Sequence, residues 1–510
     1  MRHVPGGRGA MRRMEVHREG VSVRLFPTET TALTAPTRFR STISGIWIRI
    51  VARPTTVFIV LSLVFGGLII SGTPPLRGPD EISHFVRIYS YARGEILPST
   101  EVDGRKGILV EPGLYSELQF FRTAGEVFAR EGGLSYPALV AGYRNPIGST
   151  ADEPDQARIF APFAGTEGYN PVAYIPYIAA AAIGRLFKLD FSDMLLFMRW
   201  FGLATFTAIA AYAIAVIPTL KWAFVLIALL PVSLYNRSVL SADGAALSTA
   251  LVITALCLRA AAGSTVGRVW ERSLWMTLCA LSKQPQIVFL LLELMVYRVK
   301  ELPRQWLRIC SVVLPSVILS PVWVVLVSAE VGAWRLQEEG HHPPEHFDPL
   351  WKLFYMWEHP YHFPLAVWRA VSGWGDRLWQ ELVGIVGWQD ILLPTWTYLV
   401  LTALLFLVPL QKLQVSGATR ARVAVISGLV VLSYVMLVYL IFYLTYTPLD
   451  VDHVRGVQGR YFVIVLPVAA IFVATVMNRE LPSTFPSAIA ITGSVIAGVA
   501  TVESLFRTHW

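Results

Sequence analysis

Long apolar runs, separated by short charged segments, set the pattern of this chain. Most runs are about 16 to 24 residues long, close to the length that a helix needs to cross the hydrocarbon core of a bilayer. Backbone that faces lipid must satisfy its own hydrogen bonds, so we predict that each run is an α-helix. We count about eleven of them: Pro54–Ser71, Pro171–Phe187, Met194–Ile217, Trp222–Tyr235, Ala245–Leu258, Leu274–Tyr297, Ile309–Ala329, Thr395–Leu410, Val423–Tyr446, Tyr461–Met477 and Ser487–Leu505.

The composition agrees with a membrane location. Of the 510 residues, 54% are hydrophobic and 15% are charged, whereas roughly 25% are charged in an average soluble domain. We therefore predict an all-α polytopic membrane protein rather than a soluble enzyme. The sequence has no Walker phosphate loop, dinucleotide-binding glycine pattern or His-Glu-x-x-His, which argues against ATP-driven transport and nicotinamide chemistry. Its three cysteines lack metal-ligand spacing and are interpreted as packing residues.

The positive charge lies mostly before the first span. The chain has a formal net charge of +8, and residues 1–53 contain ten Arg and three Glu, a net of +7. Basic residues are enriched on the cytoplasmic side of membrane proteins, so we place the N-terminus in the cytoplasm and expect 1–53 to be disordered there. This topology explains the net charge without nucleic-acid binding.

Two long segments are predicted to lie outside the membrane. Residues 72–170 carry 13 acids and 9 bases, and a loop of this length is usually functional. Residues 330–394 contain six tryptophans from Trp351 to Trp388, and two runs there read as juxtamembrane or interfacial amphipathic helices, Pro349–Trp357 and Leu365–Leu382. An aromatic belt without a substrate role is the alternative. The predicted organisation is a cytoplasmic segment, a seven-span core, a second external loop and C-terminal spans: 1–53, 54–329, 330–394 and 395–510.

One charged loop conflicts with the simple count of spans. Alternation from a cytoplasmic N-terminus puts the basic loops Arg298–Arg308 and Lys412–Arg422 inside, as the charge rule expects, but it puts Arg259–Arg272 outside. If that loop were inside, Leu274–Tyr297 would have to be a re-entrant pair of segments broken around Pro285. We take the simple count as the prediction, with the re-entrant pair as the alternative.

A polar motif follows the first span: Gly78-Pro79-Asp80-Glu81-Ile82-Ser83-His84-Phe85-Val86-Arg87. The proline suits the first turn of a helix, so Asp80 and Glu81 would lie near the positive end of the helix dipole and stay ionised. Such a carboxylate can accept a proton from a hydroxyl or bind a divalent cation. His84 and Arg87 follow at helical spacing as candidate substrate-binding residues. The alternative is an acid pair that only stabilises the start of a helix.

A second polar cluster precedes the tenth predicted span: Asp450-Val451-Asp452-His453-Val454-Arg455-Gly456-Val457-Gln458-Gly459-Arg460-Tyr461-Phe462. The guanidinium groups of Arg455 and Arg460 have the planar fork that binds phosphate, and Gln458 and Tyr461 add polar groups. The alternative is a pair of arginines that reach from the span to the lipid headgroups. An external location disfavours arginine for topology alone, which favours the binding role.

A third feature is the polar sequence Ser282-Lys283-Gln284-Pro285 within an apolar run. A cation inside a span costs several kcal/mol unless it is paired or hydrated, so Lys283 is a candidate for binding an anionic headgroup. A kinked helix with Lys283 reaching the interface is the alternative. Asp243, in Ser241-Ala242-Asp243, is a similar but weaker candidate.

Two other polar groups are poor metal sites. Two prolines interrupt the group formed by His341, His342, Glu345 and His346, so its side chains lack the helical spacing that would bring ligands together, and a solvated loop is the better interpretation. The acidic residues 152–155 are interpreted as a solvated turn, with calcium binding as the alternative.

Taken in order, the motifs at Asp80, Asp243, Lys283 and Arg460 resemble those of a family of uncharacterised bacterial multi-spanning proteins, which itself looks like a branch of the GT-C glycosyltransferases. The resemblance covers about Pro54 to Met477. It implies a GT-C-like layout and a polyprenyl-phosphate sugar donor. It also implies that Asp80 is the catalytic base, with Glu81 as an alternate base or, with Asp80, a ligand of a divalent metal such as Mg²⁺ or Mn²⁺.

The leading hypothesis is a membrane glycosyltransferase of a bacterial plasma membrane. It would transfer a sugar from a polyprenyl-phosphate donor to an envelope glycan, glycolipid or protein on the outer face, and its other contacts would be membrane lipids. A sugar on a lipid phosphate already carries a good leaving group, so the enzyme needs one base and cations that stabilise the departing phosphate. A lipid-linked saccharide transporter or flippase and a non-catalytic envelope-assembly scaffold are the alternatives.

Overall fold

The computed structural model of the chain describes residues 53–131, 135, 137–138, 157–263, 268–328, 348–413, 415–479, 481–482 and 484–510. The α-helices in these ranges are α1 Pro54–Gly72, α2 Glu81–Ala92, α3 Pro112–Glu131, α4 Ile175–Leu186, α5 Phe191–Val216, α6 Lys221–Ala228, α7 Pro231–Ser238, α8 Ala242–Ala261, α9 Val269–Ser282, α10 Leu302–Ser328, α11 Pro349–Glu358, α12 His362–Gly384, α13 Thr395–Leu407, α14 Gly417–Thr445, α15 Leu466–Met477 and α16 Phe485–His509. The 3-10 helices are Pro171–Tyr174, Gln284–Met295, Val299–Glu301 and Gly459–Val465. The strands are β1 Thr100–Val102, β2 Arg105–Val110, β3 Ile159–Pro162, β4 Ile385–Val386 and β5 Ile391–Leu392.

Three sequence-based interpretations fall outside these ranges. They are the disordered cytoplasmic segment, except for Arg53, the acidic turn at 152–155 and the histidine-rich group at 341–346.

By length and apolar composition, seven helices of the described part of the chain can cross a membrane. Three shorter apolar helices coincide with other predicted spans. The prediction of a multi-spanning helical membrane protein is therefore confirmed, whereas the count of about eleven spans is not. The seven long helices are Pro54–Gly72, Phe191–Val216, Ala242–Ala261, Val299–Val327, Gly417–Thr445, Gly459–Met477 and Phe485–His509.

The predicted span Trp222–Tyr235 consists of two short helices rather than one. α6 ends at Ala228, and α7 begins at Pro231, which is its first residue. Because proline has no N–H to donate to the preceding turn, it starts a helix well but cannot continue one. Both helices pack almost entirely inside the bundle.

The predicted span Leu274–Tyr297 is a helical hairpin rather than one continuous helix. α9 ends at Ser282, Lys283 has extended backbone with φ −148° and ψ 140°, and the 3-10 helix Gln284–Met295 follows. Near the start of α9, Arg272 donates two hydrogen bonds of 2.9 Å to Glu293, near the end of the 3-10 helix. This contact requires the second segment to fold back along the first. The interpretation as a single continuous span is therefore wrong, and the turn lies at Lys283, two residues before Pro285.

The hairpin brings basic segments together at one end of the bundle. Arg259 at the end of α8 bonds Glu271 at the start of α9 at 3.4 Å. Ser273, in the same turn, donates to the carbonyl of Ser311 in α10 at 2.9 Å. The described ends of the loop Arg259–Arg272 thus lie beside Arg298–Arg308. Simple alternation of spans would instead put these two loops on opposite sides of the membrane. We call this the basic end.

The described part of the segment 72–170 is structured, and it includes a small sheet that departs from the all-α prediction. The strands β1, β2 and β3 are antiparallel in that order, with Gly107 opposite Thr100 on one side and Pro162 on the other. α2 packs beside the sheet, and buried Phe85 and Ile108 share an apolar core with the start of α5. This core holds the start of α2 over the end of the bundle opposite the basic end.

The second predicted external segment contains the two expected helices. α11 and α12 match the predicted runs, and an unpredicted hairpin, β4–β5, follows them. α12 lies directly on the 3-10 helix Gly459–Val465, where a Cβ on Gly459 would stand 1.8 Å from the carbonyl oxygen of Leu378. Only glycine permits this approach, so Gly459 determines how close the two elements pack.

Candidate functional site

The acidic motif is formed by a tight turn after α1. Asp80 immediately precedes α2 and has left-handed backbone, with φ +54°. Among non-glycine residues, Asp tolerates this conformation comparatively well because its short side chain hydrogen-bonds locally. The proline thus lies before the helix rather than in its first turn, and Asp80 makes no cap hydrogen bond through its side chain. About half of the Asp80 side chain is exposed, so its carboxylate is available to a ligand.

Arg460 reaches this carboxylate from 380 residues further along the chain. Its Nη2 lies 3.1 Å from Asp80 Oδ2, and its Nη1 lies 3.7 Å from Asp243 Oδ2. Its Nε donates to the side-chain oxygen of Gln458 at 2.7 Å. Gln458 in turn accepts from Gln389 in the β4–β5 turn at 2.8 Å. The guanidinium is therefore oriented by an amide on one edge and two carboxylates on the other.

Lys283 completes the charged cluster from the tip of the hairpin. Its ammonium pairs with Asp243, at the start of α8. It also lies 4.8 Å from the ring centre of Tyr461 and 6.0 Å from that of Tyr169. A cation over aromatic faces gains electrostatic stabilisation where water is scarce. The structure thus brings the predicted residues Asp80, Asp243, Lys283, Arg460 and Tyr461 together.

His84 lies one turn into α2, beneath Asp80. Its Nδ1 is 2.5 Å from the hydroxyl of Tyr174, and its ring packs against Tyr169 and Tyr174. Burial lowers the pKa of His84 to about 4, although Asp80 opposes this effect. The imidazole is therefore neutral near pH 7.

The Asp80 carboxylate is stabilised in its ionised form. Burial would raise its pKa, but the charge of Arg460, the proximity of His84 and a hydrogen bond from Trp388 together hold the pKa below its ordinary value. Opposite charge within a few ångströms has this effect because it favours the charged form of an acid.

The adjacent acid, Glu81, has different surroundings. Its carboxylate is buried and receives Nε and Nη2 of Arg199 at 2.8 and 2.7 Å. The backbone N–H groups of Gly78 and Leu240 donate to the same carboxylate at 2.9 Å. Arg199 also donates to two carbonyls that follow α1. Glu81 therefore joins α1, α2 and α5, and its oxygens are already engaged.

The contacts of Glu81 determine whether the acid pair can bind the predicted divalent metal. Asp80 and Glu81 do not fit as a two-carboxylate ligand pair, because only Asp80 has an accessible carboxylate. Within the described residues, no group of three or more His, Cys, Asp or Glu side chains has an arrangement that would hold a metal ion.

Two predicted binding residues lie apart from the cluster. Arg87 is fully buried, stacks on Tyr91 and donates to the carbonyl of Ile96 at 2.9 Å, so it fastens the end of α2. Arg455 is exposed on the loop before Gly459, and Arg460 rather than Arg455 reaches Asp80.

Several residues that shape the site were not predicted from the sequence. Arg199 sits within an apolar run, and the rule that singled out Lys283 also applies to it. The turn Gly387–Asp390 carried no recognisable motif apart from its glycine. Asp390 pairs with Arg77 and Arg377 donates to the carbonyl of Gln389, which holds Trp388 beside Asp80. Tertiary packing alone creates that position.

Comparison with known proteins identifies a family. A family model described as "Predicted membrane protein (DUF2142)" matches residues 63–471, which include all the residues of the charged cluster. No curated protein and no solved structure matches the chain significantly.

Proposed function

The chain belongs to the DUF2142 family of predicted membrane proteins, and from the geometry around Asp80 we propose that it is a membrane glycosyltransferase. In this proposal it transfers a sugar from a polyprenyl-phosphate donor to an envelope glycan, glycolipid or protein at the outer face of a bacterial plasma membrane. The observation that carries the proposal is the contact between Asp80 and Arg460. It joins an accessible carboxylate, which can act as a base, to an oriented cation.

The proposed reaction needs these two groups at one point. An acceptor hydroxyl attacks the anomeric carbon of the donor sugar, and Asp80 takes the hydroxyl proton as the new C–O bond forms. The bond from the anomeric carbon to the phosphate oxygen breaks, and the electron pair leaves with the polyprenyl phosphate. Arg460 and Lys283 stabilise the negative charge that develops on this phosphate. Asp243 holds the two cations in place and keeps them from repelling each other.

In this proposal the two adjacent acids have separate roles. Asp80 is the base, because its carboxylate is accessible, and Glu81 is a positioning residue, because Arg199 and two backbone N–H groups engage it. Neutral His84 supports the turn from below without adding charge. No step is assigned to a metal, since the acid pair does not form a ligand set.

The basic end indicates which side of the membrane the site would face. Arg259, Arg298 and Arg422 lie at the end of the bundle opposite Asp80, where Arg422 is close to Glu301. Basic loops are retained in the cytoplasm, so the site would face outward. A donor that its lipid tail holds in the membrane suits an outer site, because cytosolic nucleotide sugars do not reach it.

A lipid-linked saccharide transporter is the second candidate, and a specific feature favours it. Transporters place substrate sites at interrupted helices, and here the hairpin tip at Lys283 and the 3-10 helix at Gly459–Val465 both meet at the cluster. The two functions differ in their need for a base: transport needs charge at Arg460 and Lys283 but no proton acceptor at Asp80.

The test compares lipid-linked sugars and envelope glycans in cells that lack the protein and in cells that express variants. Wild type should restore one missing sugar residue, whereas Asp80→Asn should lower transfer by about 10²- to 10⁴-fold, the usual contribution of a positioned base. Asp103→Asn is the matched control, because Asp103 is an exposed aspartate with the same left-handed backbone. It should complement fully.

Two outcomes would overturn the proposal. Complementation by Asp80→Asn within about twofold of wild type would exclude a catalytic base there and would favour a scaffold. Accumulation of a lipid-linked saccharide on the inner leaflet would identify a flippase.

Arg460→Ala should weaken donor binding more than acceptor binding, and an unchanged donor affinity would remove Arg460 from the site.

A further inference from the structure

A cavity of about 430 Å³ opens beside Asp80. Its walls come from α2 and the turn before it, from β2, β3 and α3, and from the β4–β5 turn. Lys283 and Arg460 are not part of the lining, so the charged cluster and this cavity share Asp80, and a molecule in the cavity would contact its carboxylate. The lining includes Arg105, Lys106, Arg122 and Trp388.

One wall of the cavity is basic. Arg105 and Arg122 are exposed at its rim, and Lys106 is buried deeper in the wall, where it pairs with Glu101 at 3.1 Å. The lining carries three bases and three acids. Glu101 offsets Lys106, Arg199 offsets Glu81 and Arg460 offsets Asp80, and the third acid, Glu167, is buried and interacts with Arg87. The exposed arginines Arg105 and Arg122 therefore make the rim the positive part of the cavity, which attracts an anion.

The other wall carries a partly exposed indole. Trp388 lies in a turn in which Gly387 and Gln389 have positive φ, of +67° and +62°. Hydrogen bonds from Arg377 to Gln389 and from Gln389 to Gln458 fix this turn, and the indole itself donates a hydrogen bond to Asp80. An indole offers a broad apolar face with one N–H donor. The apolar C–H face of a sugar ring packs well on such a surface while its hydroxyls bond nearby polar groups.

We propose that this cavity is the acceptor site and that it takes an anionic saccharide, a sugar unit bearing a carboxylate or a phosphate. The sugar ring packs on Trp388 with a hydroxyl toward Asp80, and the anionic group lies against Arg105 and Arg122 at the rim. The identification of this cavity as the acceptor site rests on the proposed function, whereas the binding of an anionic saccharide there does not.

Ligand-observed NMR tests the binding with the full-length protein in lipid nanodiscs. The probes are D-glucuronate, D-glucose 6-phosphate and uncharged D-glucose. Saturation transfer should be strong for one or both anions and weak for glucose, and the stronger anion distinguishes a carboxylate from a phosphate. Arg105→Glu should weaken binding of the anions by about fivefold, the upper end for one exposed charge pair. Arg158→Glu is the matched control, since Arg158 is exposed beside β3 and is not part of the lining.

A second pair of variants tests the aromatic wall. Trp388→Ala should abolish the signal from all three probes, and Trp388→Phe should retain most of it. Equal signals from glucose and the anions, or insensitivity to Arg105→Glu, would overturn the anionic assignment. Insensitivity to Trp388→Ala would overturn the site.

These measurements need neither donor nor turnover, so the two proposals fail separately. Anion binding that depends on Trp388 would support the site even if Asp80→Asn complemented in cells. Loss of transfer in Asp80→Asn would likewise support the transferase even if none of the three probes bound.

Discussion

At the scale of single residues, the site depends on how each charge is neutralised. Asp80 remains accessible and faces Arg460 at 3.1 Å, whereas Glu81, next to it in the chain, is fully engaged by Arg199. A carboxylate with two charge-assisted bonds and two backbone donors is held for structure, whereas Asp80, which Arg460 and Trp388 bond, is half exposed and remains accessible to a ligand. Neighbouring acids thus acquire different roles from their surroundings.

The pKa values at this site predict a flat pH profile near neutrality. Asp80 has a pKa below its usual value and that of His84 is about 4, so neither group titrates between about pH 5 and 8. Donor binding and transfer should show no ionisation near 6.5 that belongs to His84. A pH profile of wild type and His84→Gln checks this, and a limb at pH 6 to 7 that only wild type shows would contradict it.

The same pKa shifts predict that acid lowers the stability of the folded protein. The unfolded chain binds a proton at His84 more readily than the folded chain does, so stability should fall as pH decreases from about 6.5 to about 4. The depressed pKa of Asp80 acts in the same direction at lower pH. Thermal unfolding in detergent at stepwise lower pH measures the effect, and His84→Gln should reduce it.

Two buried arginines should respond oppositely to substitution. Arg199→Met removes the partner of buried Glu81 and should cost about 3–5 kcal/mol of unfolding free energy. Arg237 is also fully buried, but its guanidinium makes one hydrogen bond, of 3.3 Å to Ser62, and among the described residues its Nε and Nη1 have no hydrogen-bond partner. Arg237→Met should therefore leave stability unchanged or raise it.

Thermal unfolding of the two variants side by side is the measurement. A large loss of stability in Arg237→Met would mean that this guanidinium is better satisfied than its contacts indicate. A small loss in Arg199→Met would mean that Glu81 can be neutralised by a proton.

At the scale of elements, the site is built where regular helices are interrupted. The hairpin turns at Lys283, α8 begins at Ala242, and the 3-10 helix Gly459–Val465 starts beside α12. Interrupted backbone at these points exposes polar groups that a continuous span would not present. α12 secures the last element, because Glu381 accepts hydrogen bonds from the backbone N–H of Gly459 at 2.7 Å and from Arg377 at 3.0 Å.

Gly459→Ala should disrupt this junction. The added methyl group would lie 1.8 Å from the Leu378 carbonyl oxygen, so α12 or the 3-10 helix must move and Arg460 must move with it. We expect lower stability and at least tenfold weaker donor binding, about the effect of losing one charge-assisted contact. Gly373→Ala, in α12 with open space around it, should instead stabilise by up to about 1 kcal/mol. Equal behaviour of the two variants would contradict the role of Gly459.

At the scale of the whole molecule, charge is distributed between two ends. The cluster, the small sheet and the cavity lie at one end, and Arg259, Arg298 and Arg422 lie at the other. The hairpin starts and ends at the basic end, and its tip, Lys283, reaches the cluster, so its two segments run along the bundle in opposite directions.

Cysteine labelling tests this arrangement. Cys310 is exposed and should first be replaced by serine, whereas Cys257 and Cys279 are buried. A membrane-impermeant maleimide should label Ser83→Cys and Arg455→Cys in intact cells. It should label Arg268→Cys and Lys300→Cys only after permeabilisation. Labelling of Arg268 and Lys300 from opposite sides would contradict the hairpin, and labelling of Ser83 or Arg455 only from the inside would contradict the outer site.

The helices α11 and α12 show where sequence prediction worked, and the hairpin shows where it failed. Amphipathic spacing is a local property of a helix, so both juxtamembrane helices could be predicted within a few residues. The run Leu274–Tyr297 is as apolar as a span throughout, and only the bond between Arg272 and Glu293 reveals that it folds back. Hydropathy indicates whether a segment lies in lipid or in water, but not the direction in which the segment runs.

The sequence by itself determined the class of protein and the residues worth testing. Apolar run length requires membrane helices, the cost of a charge in lipid singled out Lys283 and, more weakly, Asp243, and polar motifs beside predicted spans singled out Asp80 and Arg460. Only the tertiary structure decided which acid is accessible, which arginine reaches it, and that Trp388 and a basic wall border the same cavity. These facts depend on contacts between segments hundreds of residues apart, and pairing at that distance leaves no periodic signal in the chain.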